Sequence, residues 1–215
     1  PVFYEPRPNP LIVHTLTGLV SYLEANIDVL NAGELLVHVA SYREVLLYSH
    51  LRGKDRDRDE YLAVILDQVE PFPFGEWLDP ERFNIYLRSR FSETDDQIRV
   101  LSYVSRIDLQ EKTTIEDNGI TQSMNLKKSA DGFLKNKEAE EAPSMVLLRP
   151  YRTFPDIDQP ESRFLFRIKQ TEKGVSCALF EADGGKWKDV ARQYIKEAII
   201  DSLEDTLFKG IKVIA

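Results

Sequence analysis

The fold class is indicated most clearly by residues 163–185, which read RFLFRIKQTEKGVSCALFEADGG. Phe164, Phe166 and Ile168 alternate with residues that are mostly charged, and this period of two is typical of a strand with one buried face. After a Glu-Lys-Gly turn, Val175–Glu181 forms a second apolar run of strand length. An Asp-Gly-Gly sequence then breaks this run. The stretch therefore predicts two consecutive strands of one sheet.

A long helix is predicted to begin near Lys186, directly after this break. Its apolar residues recur at helical spacing and form one face. They are Trp187, Val190, Ala191, Tyr194, Ile195, Ala198, Ile199, Leu203 and Leu207. Gly210 would end the helix before a closing strand. We expect the helix to cover a sheet, with Trp187 packed in the core. The predicted strands of that sheet are Met145–Leu148, Arg163–Lys169, Val175–Glu181 and Ile211–Ile214.

The preceding half of the chain predicts a second group of elements. Thr15 is the expected N-cap of a helix whose apolar residues recur as far as Leu30, and Gly33 would end that helix. Three strands follow, at Leu35–Ala40, Glu44–Ser49 and Glu60–Leu66. The first two form a hairpin, and the third extends the sheet after an exposed charged loop.

Two further helices and a hairpin complete this half. Asp79-Pro80 is a strong helix start, and the helix should run to about Phe91. Thr94–Gln97 is a capping box that opens the next helix. Asp117-Asn118-Gly119 marks a tight turn within a hairpin spanning about residues 110–127.

These elements place the chain in the α+β class, with mixed and antiparallel sheets, packed helices and the order αβββαα–ββ–βββαβ. Residues 1–10 carry four prolines and are predicted to be an extended arm. Residues 11–127 form an N-terminal α+β unit, and residues 128–144, which have little to bury, form a flexible connector. Residues 145–215 form a C-terminal βββαβ unit. The sequence does not decide whether these two units pack together as one domain.

The composition and charge of the chain disfavour several functional classes of protein. A net charge of −8 disfavours general binding to nucleic acid, which depends on Lys and Arg. The single cysteine, Cys177, excludes an internal disulfide and a cysteine-based metal cluster. No apolar run approaches the roughly 20 residues that span a bilayer, and the first residues do not resemble a signal peptide. We therefore expect a protein of the cytoplasm that binds no membrane.

No residue pattern predicts catalysis, a metal or a cofactor. His14, His38 and His50 are not at metal-ligand spacing, and no nucleotide-binding glycine loop occurs. Cys177 lies within a predicted strand, as a small buried hydrophobe would. Pro155-Asp156 invites comparison with metal-dependent nucleases, but the next strand has no acid two residues before its lysine. The chain is not expected to be an enzyme.

A basic stripe is the one candidate binding site. It consists of Arg163, Arg167 and Lys169 on the outward face of the predicted strand, together with Arg149 and Arg152, which are close upstream in sequence. Such a stripe favours binding of an anion or an acidic partner. The alternative is a solvated sheet face whose charge is offset by nearby acids.

Acidic residues crowd the carboxyl half of the last helix, where the helix dipole disfavours them. They are Glu197, Asp201, Glu204 and Asp205. A basic patch in the same chain or in another subunit would offset them, as would exposure to water. This pattern leaves a homo-oligomer open.

Four stretches carry a resemblance to a known family. They are His14–Leu23 (HTLTGLVSYL), Arg149–Phe154 (RPYRTF), Gln159–Arg167 (QPESRFLFR) and Cys177–Lys188 (CALFEADGGKWK). On these motifs the chain resembles a family of uncharacterised proteins of bacteriophages and prophages, a domain of unknown function. The resemblance covers most of the chain, implies a phage product in the bacterial cytoplasm, and carries no activity or site residues.

We therefore expect a non-enzymatic phage binding protein that counters host defence by sequestering a host protein or a small nucleotide signal. The alternative is an accessory factor in phage DNA replication or recombination that binds nucleic acid through the basic stripe.

Overall fold

The computed structural model describes residues 9–68, 70–108, 113–117, 122–126, 140–171 and 174–215, and these fold in the predicted α+β class. The helices are α1 (Leu16–Ala25), a 3₁₀ helix (Ala32–Glu34), α2 (Pro80–Ser89), α3 (Asp95–Asp108) and α4 (Trp187–Leu203). The strands of the first half are β1 (Leu11–Val13), β2 (Leu35–Ser41), β3 (Glu44–Ser49), β4 (Glu60–Ile65) and β5 (Phe91–Ser92). The later strands are β6 (Thr113–Asp117), β7 (Gln122–Leu126), β8 (Glu140–Glu141), β9 (Met145–Pro150), β10 (Ser162–Thr171), β11 (Gly174–Glu181) and β12 (Lys212–Ile214).

The chain divides into two compact units that interleave along the sequence. The first unit takes residues 1–69, 152–159 and 186–215, and the second takes residues 70–151 and 160–185. This division differs from the predicted one, in which residues 11–127 and 145–215 form separate units. The chain crosses between the units several times, and no change of composition marks those crossings.

The first unit is built on a five-stranded sheet with the order β1-β4-β3-β2-β12. The two outer pairs, β1 with β4 and β12 with β2, are parallel, whereas the β2-β3 and β3-β4 pairs are antiparallel. Helices α1 and α4 bury one apolar stripe each against this unit's core. Thr15 is the N-cap of α1, as predicted, and its hydroxyl oxygen accepts a hydrogen bond from the Gly18 N–H at 3.1 Å.

The second unit contains a four-stranded sheet, β11-β10-β9-β5, and a three-stranded sheet, β6-β7-β8. Helices α2 and α3 begin at their predicted caps. Asp79 accepts from the Arg82 N–H at 2.9 Å, and Thr94 accepts from the Gln97 N–H at 3.1 Å. The core is rich in phenylalanine, including Phe72, Phe83, Phe91, Phe164 and Phe166. The three predicted strands at 145–148, 163–169 and 175–181 do share this sheet.

The predicted packing of the last helix and last strand is wrong. Strand β12 pairs with β2 in the first unit, with Val213 opposite Val37, and Ile195 and Ile199 of α4 belong to that unit's core. The period of a pattern shows which face of an element is buried but not which sheet buries it. Trp187 is buried as predicted, and its ring packs edge-on against Tyr42 with 4.7 Å between ring centroids.

Two helices are shorter than predicted. Helix α1 ends at Ala25 because Asn26 adopts the left-handed conformation with φ 41°, so Leu30 lies beyond it. Helix α4 ends at Leu203, and the Thr206 hydroxyl donates to the Leu203 carbonyl at 2.9 Å. Leu207 is therefore exposed rather than part of the apolar face.

Parts of three predicted segments lie outside the described residues, namely residues 1–8 of the arm, residues 110–112, 118–121 and 127 of the second hairpin, and residues 128–139 of the connector. The described end of the connector belongs to the second unit, since β8 pairs with β7 and Ala142 is buried in the core. No helix among the described residues is long and apolar enough to cross a membrane.

Candidate binding face

The candidate site lies on the outer face of the four-stranded sheet of the second unit. Side chains alternate along β10, so that Phe164 and Phe166 are buried while Arg163, Arg167 and Lys169 point to the opposite, solvent-facing side. We call this side the outer face. Arg163 and Arg167 are four residues apart, and the three cations span about 20 Å along the strand.

Exposed apolar side chains flank these cations on the neighbouring strand. Leu147 of β9 lies opposite Arg163, and Met145 lies opposite Leu165. Directly opposed residues of an antiparallel pair project from the same face. Met145 is 55% exposed and Leu147 is 42% exposed, whereas the alternate residues of β9 are buried. The outer face therefore combines basic and apolar side chains.

Trp77 joins this face because its segment is hydrogen-bonded to the edge of β11. The Leu78 N–H donates to the Cys177 carbonyl at 2.9 Å, and the reciprocal bond from the Cys177 N–H is 2.8 Å. Trp77 is 38% exposed, packs edge-on against Phe180 at 6.0 Å, and has the Lys169 ammonium 4.2 Å from its ring centroid. This cation–π contact holds Lys169 in place without neutralising its charge.

Three of the basic residues have no acidic partner within the part of the chain that the structure describes. Among the described residues, Arg163, Arg167 and Lys169 form no ion pair, and the Arg167 guanidinium donates only to the Phe166 carbonyl, at 3.5 Å. Arg149 differs, because its guanidinium lies 3.5 Å from the Glu161 carboxylate. The outer face thus presents three cations that are free to meet an external anion.

Arg152, the fifth residue of the basic stripe, lies in the other unit. Its guanidinium stacks over the Trp187 ring at 4.4 Å. The structure therefore brings Arg149, Arg163, Arg167 and Lys169 together in the second unit and places Arg152 in the first.

The other residues that the sequence analysis considered as candidates are hydrogen-bonded or buried within the structure. The Asp156 carboxylate accepts from the N–H and hydroxyl of Thr17 at 2.8 and 3.1 Å, where it caps the first turn of α1. His14 bonds to the Ile65 carbonyl at 2.9 Å. Burial raises the pKa of the Cys177 thiol to about 12, which keeps it protonated and unreactive. No group of three or more His, Cys, Asp or Glu side chains suited to a metal occurs in the part of the chain that the structure describes.

Sequence reasoning missed the apolar members of the outer face. Met145 and Leu147 lie in the run MVLL, in which both faces of the strand are apolar and no period of two is visible. Trp77 reaches the face only through the bridge between its segment and β11, which no local pattern indicates. No protein-family model, curated protein or solved structure matches this chain.

Proposed function

We propose that the chain is a non-enzymatic binding protein that holds an acidic protein partner against the outer face of its four-stranded sheet. The observation that carries this proposal is the set of three cations, Arg163, Arg167 and Lys169, that have no carboxylate partner among the described residues. Such a set attracts a negatively charged surface and orients it during the encounter.

The side chains around the cations favour a protein as the partner. Trp, Met and Arg are enriched in protein–protein interfaces, and here Trp77, Met145 and Arg163 share one face. Exposed apolar area next to free cations provides the usual combination of a desolvated centre and a charged rim. The net charge of −8 makes non-specific attraction to nucleic acid weak. The resemblance to phage proteins implies a phage gene product and carries no activity, and we propose that such a product sequesters a host protein to counter host defence.

A photo-crosslinking experiment tests the proposal. Leu165 lies between the two arginines on β10, so p-benzoylphenylalanine at this position should crosslink the partner in a bacterial lysate. The crosslinked protein is identified by mass spectrometry, purified and titrated against the chain. We expect Arg163→Glu with Arg167→Glu to weaken binding by at least about a hundredfold, because two attractive contacts become repulsive.

The matched control places the same charge change on the first unit, as Lys186→Glu with Lys196→Glu. This variant should keep wild-type affinity. Equal affinity of the wild type and the Arg163/Arg167 variant for the purified partner would show that the outer face is not the binding surface. So would a crosslinking yield at Leu165 no higher than at Glu197 on α4.

Single-stranded nucleic acid is the second candidate ligand, and the observation that favours it is the exposed Trp77 ring beside Lys169. Bases stack on aromatic rings while cations contact the phosphates. A fluorescein-labelled dT20 oligonucleotide should then bind at 50 mM salt, lose affinity steeply by 200 mM, and bind more weakly to Trp77→Ala. Absence of an anisotropy change at 50 mM salt would exclude this candidate.

A further inference from the structure

The first unit contains a cavity beneath the loop that follows helix α1. Its volume is about 610 Å³, within the range of about 300–1,000 Å³ of small-molecule sites. The wall is formed by the aromatic rings of Tyr22 and Tyr61 and by the apolar side chains of Ile27, Val29 and Leu30. Asp28, Glu34 and Arg52 contribute the charged groups. The cavity therefore offers both apolar area and a few charges to a ligand.

The charges of the cavity leave one carboxylate unneutralised. Arg52 is shared by two acids, with 4.0 Å from its guanidinium to Glu34 and 3.6 Å to Asp59. Asp28 instead accepts a hydrogen bond from the Tyr22 hydroxyl at 2.6 Å, and within the described ranges no cation lies at ion-pair distance from it. Burial, followed by the hydrogen bond to Asp28, raises the pKa of Tyr22, so this hydroxyl stays a neutral donor. The field at this end of the cavity is negative.

A strained backbone conformation is found at one of the residues that line this cavity. Val29 has φ 52°, a left-handed conformation that is a genuine outlier for a β-branched residue, although its side chain is 85% exposed. The conformation is fixed by the Val29 N–H, which donates to the Asn26 carbonyl at 3.1 Å, and by the Leu30 N–H, which donates to the Asn26 side chain at 2.7 Å. Strain of this kind clusters at ligand clamps. Val29 is one of the residues that line the cavity.

We propose that this cavity binds an organic cation, an ammonium group carried on an aromatic or branched apolar body. The ammonium would pair with Asp28, and the body would pack between the tyrosine rings and Val29. A tyrosine ring also attracts a cation over its face, which favours the same ligand class. The cavity lies wholly within the first unit, so this proposal does not depend on the proposed protein partner.

Three indoles of nearly equal shape provide the test. Tryptamine carries an ammonium, tryptophol a neutral hydroxyl, and indole-3-acetate a carboxylate on the same ring. In calorimetric titrations we expect tryptamine to bind at least about tenfold tighter than tryptophol, a difference of about 1.4 kcal/mol. Indole-3-acetate should bind weakest. Asp28→Asn should abolish the preference for tryptamine over tryptophol, whereas Glu197→Gln, which removes a charge from α4 outside the cavity, should keep it.

A second variant separates the wall of the cavity from its charge. Val29→Asn keeps a residue that tolerates the left-handed conformation but removes the apolar group, so it should weaken both tryptamine and tryptophol by a similar factor. Melting curves confirm that each variant is folded. No heat change with tryptamine up to 10 mM would overturn the proposal, and so would equal affinity for the three indoles or an unchanged tryptamine preference in Asp28→Asn.

Discussion

Gln159 should be one of the most sensitive positions of the first unit, because its side chain holds residues 152–159 in place. The side chain is 5% exposed. Its oxygen accepts from the N–H groups of Arg152 and Thr153 at 2.9 and 3.2 Å, and its nitrogen donates to the carbonyls of Phe154 and Ile157 at 3.0 and 3.3 Å. One amide thus satisfies four backbone groups.

Gln159→Met keeps the length of the side chain and removes every one of these bonds. Arg152 and Ile157 are only partly buried, so their backbone groups can turn to water. Thr153 is fully buried, so its N–H is left without a partner at a cost of about 1–3 kcal/mol, whereas the Phe154 carbonyl keeps its hydrogen bond from the Ile157 N–H at 3.4 Å. The free energy of unfolding of the first unit should therefore fall by about 1–3 kcal/mol.

The two tryptophans make the assay specific to one unit, because Trp187 lies in the first unit and Trp77 in the second. In a Trp77→Phe background, urea denaturation followed by Trp187 fluorescence reports the first unit alone. Gln193→Met, at an exposed glutamine of α4 in the same unit, is the matched control and should change the stability by less than about 0.5 kcal/mol. If Gln159→Met lowered the free energy of unfolding by less than about 1 kcal/mol, the side chain of Gln159 would not be what holds residues 152–159 in place.

Three further predictions also use urea denaturation. The Val29 variant is followed by Trp187 fluorescence, and the Trp187 and Cys177 variants by circular dichroism, because one lacks that fluorophore and Cys177 lies in the second unit. Trp187→Ala should destabilise the first unit by about 3–5 kcal/mol, since it removes a buried ring; no loss would mean that this packing is unimportant. Val29→Gly should raise stability by up to about 1 kcal/mol, because relief of the left-handed strain exceeds the added flexibility of glycine; a loss would contradict the strain. The pKa of Cys177 is raised to about 12 by burial, so the unfolded thiol ionises first and stability should decline as pH rises from about 9 towards 12. Cys177→Ala should remove that part of the decline; identical pH profiles would contradict it.

Local structure could be predicted from the sequence because it depends on neighbouring residues. The caps at Thr15, Asp79 and Thr94 form as expected, since a short oxygen-bearing side chain and the following amides decide them. The second bond of the predicted capping box is not among the bonds of Gln97 in the described part of the chain, where its side-chain nitrogen donates to the Leu87 carbonyl at 2.7 Å. The hairpin of β2 and β3 and the three consecutive strands β9, β10 and β11 follow from short apolar runs bounded by turn residues, and only β10 adds a clear period of two.

Partners that are distant in sequence could not be predicted in this way. Gln122 is one example. Its side-chain oxygen accepts a hydrogen bond from the Ile168 N–H at 2.8 Å, and its side-chain nitrogen donates to the Ile168 carbonyl at 2.9 Å, as the backbone of a neighbouring strand would do. The side-chain amide of Gln159 likewise forms hydrogen bonds with backbone groups of the loop at residues 152–157. A polar residue in such a role carries no periodic signal. The pairing of β12 with β2 was missed for a related reason, since a three-residue strand fits many sheet edges.

The candidate site shows the same division. Alternation along β10 correctly placed Arg163, Arg167 and Lys169 on one exposed face, but it could not show whether nearby acids would offset their charge. Two acids of the connection between β9 and β10 are engaged elsewhere, since the Asp156 carboxylate accepts from Thr17 at the first turn of α1 and the Glu161 carboxylate lies 3.5 Å from the Arg149 guanidinium. Among the described residues no acid forms an ion pair with the three cations of β10, and the residues directly opposite them, Leu147, Ala178 and Ser176, carry no charge.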